Sequence, residues 1–395
     1  MLNANPTAQD CIDALGHLVS FDTVSHNSNL ALIESVANAL SDIGVESRLT
    51  HNEEGTKANL WATIGPADRG GIVLSGHTDV VPVENQDWSS DPFVMEERDG
   101  LLYGRGTSDM KGFVACAFAH AAQMAKTDLK VPIHLAFSYD EEVGCTGVID
   151  LVEDVSANFP KPLAVIVGEP TMMQIVGGHK GGRSYTTTVR GVDGHSSAPD
   201  LGANAIFAAA RIVSYLQEVQ ARLKEQADRE SGFSPPYTTV DCGLITGGTA
   251  FNIIPAECSF GWGLRSVPGE DTDAIVADIF NFIETQVEPG LKAISPQAGV
   301  SHVQRNDLPP FAPDESSPAE SLLRHMIGQN RSGRVAYGTE ASRFQEVGIP
   351  AVVFGPGSIE QAHIPDEFIA IEQIHKCHDF LNDLTRWAAS HDRIA

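Results

Sequence analysis

Histidines and acids recur in this chain where apolar runs end. The run Gly71-Ile72-Val73-Leu74 leads into Ser75-Gly76-His77-Thr78-Asp79, which puts His77 and Asp79 at the C-terminal end of a short buried strand. Two apart on a strand, they share one face, the imidazole placed to bind a metal and the carboxylate to orient it. Asp109 follows the glycine-rich Gly104-Arg105-Gly106-Thr107-Ser108 and precedes an apolar helical run from Phe113. Glu141 and Glu142 follow the run Pro132 to Ser138, Glu169 follows Leu163 to Gly168, and His363 lies near the C-terminus. Taken singly, each has a plainer reading: a structural histidine, a helix-capping aspartate, a solvated acidic loop. Delivered together at the same end of several strands, they have the layout of a metal site.

A two-metal hydrolytic site needs terminal ligands for each ion, a carboxylate between them, and a water or hydroxide as nucleophile. His77 with Glu169, His363 with Glu142, and Asp109 as the bridge meet that need. Glu141 is then left as an acid free to take a proton from the water and hand it to a leaving amine. His195, in Gly194-His195-Ser196-Ser197, reads either as a surface-loop histidine or as a donor to a tetrahedral oxyanion. Asn252 and Arg265 are candidates for holding a substrate carboxylate, although an arginine ending a strand is often only a surface ion pair. Gly338-Thr339-Glu340 has the composition of a turn, which would make Glu340 a surface acid. Gly104 to Asp109 fails as a dinucleotide fingerprint because Asp109 stands where the third glycine belongs, and Gly247-Gly248-Thr249 fails as a phosphate loop.

Helical spacing over residues 7–19 and 29–43, then a hairpin over 45–64, lead into alternating strands and helices through Glu169. This is an α/β pattern, a mixed sheet covered by helices. From Gly182 the order becomes β-α-β-β-α-β, with a last strand expected over Ala293 to Gln304, so residues 182–307 read as an inserted ferredoxin-like domain. Residues 1–181 and 308–395 then form the domain that carries the acids and histidines.

The chain has 395 residues, with 26 Lys and Arg against 52 Asp and Glu, a formal net charge of −26. That balance disfavours nucleic acid and anionic membrane surfaces as partners. Six cysteines are scattered with no Cys-x-x-Cys pair, which argues against a disulfide framework and fits a reducing cytoplasm. The first fifty residues have no signal-like segment, and no stretch reaches the length of a membrane span.

The chain from His77 to His363 resembles the co-catalytic zinc family of acetylornithine deacetylases, succinyl-diaminopimelate desuccinylases, aminoacylases and related dipeptidases. The resemblance implies a zinc-peptidase-like catalytic domain with an inserted lid and dimerisation domain. It implies two Zn2+ per subunit, with Co2+ or Mn2+ as substitutes, held by His77, Asp109, Glu142, Glu169 and His363, with Asp79 orienting His77 and Glu141 as general base. It implies a homodimer through the inserted domain, in which His195 reaches the partner's active site. Within the family, His179-Lys180-Gly181, Thr339-Glu340-Ala341 and Gly355-Pro356-Gly357-Ser358-Ile359 resemble the branch that deacetylates Nα-acetyl-L-ornithine in arginine biosynthesis. An acid such as Glu340 would suit that cationic side chain. Arg343-Phe344 instead resembles the desuccinylases, which keeps succinyl-diaminopimelate or another small N-acyl amino acid as the alternative substrate.

Overall fold

The computed structural model describes residues 2–394. Helix α1 (Ala8–Val19) opens on Thr7, whose hydroxyl accepts from the Asp10 amide while the Asp10 carboxylate accepts from the Thr7 amide. Next come α2 (Leu30–Asp42), the antiparallel pair β1 (Ser47–His51) and β2 (Ala58–Ile64), and β3 (Ile72–His77). The short β4 (Glu96–Arg98) and β5 (Leu101–Tyr103) precede α3 (Lys111–Lys126), β6 (Ile133–Ser138), α4 (Gly147–Asn158), β7 (Ala164–Val167) and β8 (Val176–His179). The middle of the chain holds β9 (Gly182–Arg190), β10 (Gly194–His195), α5 (Ala205–Glu225), β11 (Thr239–Gly247), β12 (Ile253–Ile254), β13 (Glu257–Arg265), α6 (Thr272–Phe282), α7 (Glu288–Ile294) and β14 (Gly299–Leu308). The chain closes with α8 (Pro318–Ile327), β15 (Gly333–Val335), α9 (Ala341–Glu346), β16 (Ala351–Val353), β17 (Phe368–Ala370) and α10 (Ile371–Ser390).

Two compact units result. One holds the residues up to Gly178, Pro313–Gly333 and those from Thr339 on; the other holds His179–Ala312 and Arg334–Gly338. The boundaries thus lie a few residues outside 182–307, and Arg334–Gly338 joins the second unit from a stretch read as part of the first.

The large sheet has the order β1-β2-β6-β3-β7-β16-β8-β15. Its centre is parallel: β3 pairs with β6 and β7, and β7 with β16. Strands β3, β6 and β7 are buried throughout, as parallel strands covered on both faces must be. Helix α3 is buried on nearly every side and packs on α1, α10 and β3. Two glycines allow close approaches that a side chain would block. A Cβ on Gly168 would lie 1.9 Å from the Phe113 ring, and Gly106 has φ +85°, with Val80 and Lys111 against it.

In the second unit the sheet is antiparallel, in the order β11-β13-β9-β14, and α5 packs on β9, β11 and β13. The main strands and helices follow the expected β-α-β-β-α-β order. Helix α5 is capped by Asn204 and α6 by Asp271. The strand expected over Ala293 to Gln304 begins only at Gly299. After a π-helical segment at Ile283–Val287 the chain continues as α7, whose Pro289 lies in the first turn, where a missing N–H costs nothing. The ends of the unit meet: His179 and Phe311 exchange two backbone hydrogen bonds, at 3.1 and 3.0 Å. Among the described residues no helix is long and apolar enough to cross a membrane, and all six cysteines are free.

Candidate metal centre

The parallel strands end together, and the loops beyond their C-terminal ends carry the acids and histidines. His77 is the last residue of β3, opposite Ser138 at the end of β6. Glu141 and Glu142 follow β6, Glu169 follows β7, and Asp109 stands just ahead of α3. His363 lies in the loop between β16 and β17, with φ +66°; Asp140 and Cys145 flank the glutamates with φ +55° and +53°. Left-handed backbone at non-glycine residues is held only where the surroundings impose it, and three such residues lie in or beside this set.

Asp109 stands between two imidazoles. Its Oδ1 lies 3.1 Å from Nε2 of His77 and its Oδ2 3.3 Å from Nε2 of His363. His363 Nε2 also lies 3.0 Å from Glu142 Oε2, and His77 Nε2 lies 3.7 Å from Glu169 Oε1. Single ligand atoms of His77, Glu141 and Glu169, and of His77, Asp109 and Glu142, lie within 4.8 Å of one another. Five residues singled out from the sequence are therefore brought together, with Glu141 beside them. As whole residues Glu141 and Glu142 keep partial exposure, but the Glu142 side chain is only 6 % exposed.

His77 shows how the donor atoms are arranged. Its Nδ1 lies 2.9 Å from the Asp79 backbone carbonyl, which can only accept, so Nδ1 carries a proton. A neutral ring would then turn the Nε2 lone pair toward the oxygens of Asp109 and Glu169, and Glu169 Oε1 is buried with no hydrogen-bond partner. With Nδ1 protonated, the Nε2 lone pair and the surrounding carboxylate oxygens make a donor set that fits divalent metal ions with nitrogen and oxygen ligands. The close packing of these groups shifts their protonation equilibria. Burial lowers the His77 pKa, but Asp109, Asp79 and Glu169 reverse this and hold it well above its usual value. Hydrogen bonds to Asp109 and Glu142 raise His363 to about 10. Burial would raise Asp109, but His363 and His77 hold it low. Burial, then Asp109, pushes Glu142 up to about 7. Burial and then Asp109 raise Glu169 well above the usual range; burial does the same for Glu141, with His77 opposing and Glu142 adding to the rise.

Asp79 faces His77 with its carbonyl more closely than with its carboxylate, whose Oδ1 is 3.5 Å from Nδ1. The carboxylate instead accepts from the Ser25 hydroxyl at 2.7 Å and from the amides of Glu141 and Glu142 at 3.1 and 3.3 Å. Asp79 thus holds the glutamate loop as well as the imidazole. Two further residues were given no role from the sequence. Buried Glu367 accepts from Arg105 Nη1 at 2.9 Å and from the amides of Gly106, Ser108 and Asp109 at 2.8–3.0 Å, fixing the loop that presents Asp109. The Cys145 thiol donates to Glu141 Oε1 at 3.2 Å.

Glu340 is not the surface acid that its turn composition suggested. It is fully buried, and its carboxylate accepts from the Ser138 hydroxyl and, at 3.2 Å, from the Ser75 hydroxyl. A substrate could reach it only if those serines gave way. Thr339 is also buried, its hydroxyl accepting from the Ala341 amide. Arg343, on α9, pairs with Glu346 at 3.1 Å. The remaining candidates belong to the second unit. Asn252 and Arg265 are exposed there, and His195, also exposed, pairs with Ile253 across the β10–β12 ribbon. The Ser197 amide donates to His195 Nδ1 at 3.2 Å, so in the neutral ring Nε2 carries the proton.

Residues 73–386 match the profile of Peptidase family M20/M25/M40. The acetylornithine deacetylase of Myxococcus xanthus is 36% identical over 371 residues, covering 92% of this chain and 93% of that protein. The enzyme of the same name from Pasteurella multocida is 33% identical over 366 residues, covering 92% and 93%. Among solved structures, a metallo-carboxypeptidase from Sulfolobus solfataricus superposes with a TM-score of 0.75 at 19% identity, covering 96% of this chain and 99% of that one. A Bacillus subtilis protein described as a dinuclear metal binding peptidase superposes with a TM-score of 0.65 at 16% identity, covering 96% and 97%.

Proposed function

The chain belongs to peptidase family M20/M25/M40, and from that premise we propose that it is a metal-dependent amidohydrolase that removes the acetyl group from Nα-acetyl-L-ornithine, giving L-ornithine and acetate for arginine biosynthesis. The observation that carries the chemistry is Asp109 between His77 and His363, with Glu141 alongside. The substrate assignment rests on the acetylornithine deacetylases that match over nine-tenths of the chain. Two Zn2+ ions, replaceable by Co2+ or Mn2+, would be held by His77, Asp109, Glu142, Glu169 and His363 and would supply Lewis acidity to the acyl carbonyl and to the attacking water.

The chain's own residues do the rest. Glu141 takes the proton of the water as it attacks and returns it to the amine as the amide bond breaks. The Cys145 thiol and the Asp79 carboxylate hold Glu141 in place through its carboxylate and its amide. His195 of the partner subunit donates Nε2–H to the developing oxyanion. A dimer through the second unit is supported by its exposed apolar residues. Leu201 is 75% and Phe207 72% exposed, Phe251 is fully exposed, and an open groove of about 1270 Å3 is bordered by Phe207, Phe251, Ile253 and Ile294.

The test is release of acetate from Nα-acetyl-L-ornithine and of succinate from N-succinyl-L,L-diaminopimelate by one zinc-reconstituted preparation, beside a chelated control. Preference for acetylornithine, abolished by the chelator, is the expected result. Dominant succinate release would keep the metal chemistry, replace the substrate, and make Arg343 the leading carboxylate clamp.

A further inference from the structure

Cys11 on α1, His120 on α3 and His378 on α10 meet inside the first unit, and none of the three lies among the residues gathered around Asp109. One ligand atom of each lies within 4.8 Å of the other two. Around a tetrahedral zinc-class ion, with bonds of about 2.0–2.3 Å, such atoms stand roughly 3.5 Å apart, so the set need close by only roughly an ångström.

The two rings are prepared for such an ion. His120 is fully buried, and its Nδ1 lies 2.8 Å from the Cys116 carbonyl. That carbonyl can only accept, so Nδ1 holds the proton and Nε2 presents a lone pair. Nε2 is buried without a hydrogen-bond partner, and so is Nδ1 of His378. His378 Nε2 lies 3.0 Å from the side-chain amide of Asn382, which is bonded in turn to Gln123 at 2.8 Å. Amide oxygen and nitrogen are interchangeable in such a chain. With both amides turned, Nε2–H donates to Asn382 and Nδ1 is left as a second lone pair. The Cys11 thiol faces Cys116 and the His120 ring, and Cys116 in turn faces Cys377. His378 is partly exposed, which gives an ion a way in.

We propose that Cys11, His120 and His378 form a separate binding site for one thiophilic divalent cation of the zinc class. Sulfur and imidazole together select such an ion over magnesium or calcium, which take oxygen ligands. On binding, the Cys11 S–H bond breaks, its electron pair forms the bond to the metal, and the proton leaves to solvent. The ion would clamp α1, α3 and α10 together.

The experiment titrates the folded, chelator-stripped protein with Co2+ and reads the near-ultraviolet absorption that only a sulfur-to-cobalt bond produces. The oxygen and nitrogen ligands around Asp109 cannot give that band. It should appear in the wild type and persist in His77→Ala, which disables the other centre. It should vanish in Cys11→Ser, with one fewer cobalt per chain, and His378→Asn should weaken its titration at least tenfold. His378 is partly exposed, so its variant decides the matter if Cys11→Ser fails to fold. No band in the wild type overturns the proposal. So does a band that survives both variants, or one lost instead in Cys145→Ser or Cys242→Ser.

Discussion

In the proposed mechanism Glu141 moves the proton between water and amine, from a backbone amide held by Asp79 and a carboxylate held by the Cys145 thiol. Glu141→Ala should therefore cut kcat about a hundred- to ten-thousand-fold while leaving bound metal unchanged, as counted by elemental analysis. Retained turnover would remove Glu141 from the role. Glu367 acts at one remove, through the Asp109 loop. Glu367→Gln leaves one of its oxygens as an amide nitrogen that cannot accept from Arg105 or the loop amides. Metal affinity, measured by chelator competition, should fall about ten- to a hundred-fold, and an unchanged affinity would contradict the argument. His77 and Asp79 stood out in the sequence because they follow a short apolar run, although β3 ends at His77 and it is the Asp79 carbonyl that faces the ring most closely. Glu367 did not, because the amides it holds lie some 260 residues away and no local pattern marks them. Glu340 was misread for the same reason: beside Gly338 it looks like a turn, and only packing against the ends of β3 and β6 reveals a buried carboxyl.

At the scale of elements, the site depends on β7 and α3 lying close enough for Glu169 and Asp109 to share a pocket. Gly168 sets that approach. Gly168→Ala should destabilise the protein by about 1–3 kcal/mol, because the Phe113 ring must move out of a filled core, and chemical denaturation would measure it. Wild-type stability would show that the core relaxes freely there. The β2–β6 pair carries a pH dependence of its own. His134 stacks on Trp61, its Nδ1 lies 3.0 Å from the Thr63 hydroxyl, and its Nε2 is buried without a partner. Burial lowers its pKa from 6.5 to about 4. The folded state thus resists protonation that the unfolded chain accepts: its share of stability is complete above pH 6.5 and is lost as pH falls toward about 4, by up to roughly 3 kcal/mol. His134→Phe should lack that part of the acid loss, seen by comparing the two proteins' denaturation midpoints across this window. The alternation of strands and helices was readable because burial imposes its period. The extension of α6 into α7 was hidden, since proline signals a break in most places and is harmless in a first turn.

For the molecule as a whole, the proposed dimer would cover the second unit's exposed apolar residues. Replacing Phe207 and Leu201 together by Asp should give a monomer in sedimentation, with metal retained and turnover lost if His195 of the partner subunit completes the site. A monomer with full turnover would dismiss His195. The second unit was legible as an insertion from its change of pattern, but Arg334–Gly338 was not, because five residues carry too little pattern to show that they return to it. The bridge between His179 and Phe311 has a consequence for how the chain folds. Until the insertion is built, β8 and β16 are separated by a floppy span of about 170 residues, and closing such a loop costs on the order of 4–5 kcal/mol of chain entropy. Once the inserted unit has folded, its ends are already joined, which leaves a span of about 40 residues to close and lowers that cost by about 1 kcal/mol. The insertion would then serve the first unit as a splint: Phe311→Ala, which loosens the joint, should slow refolding of the large sheet more than it speeds unfolding.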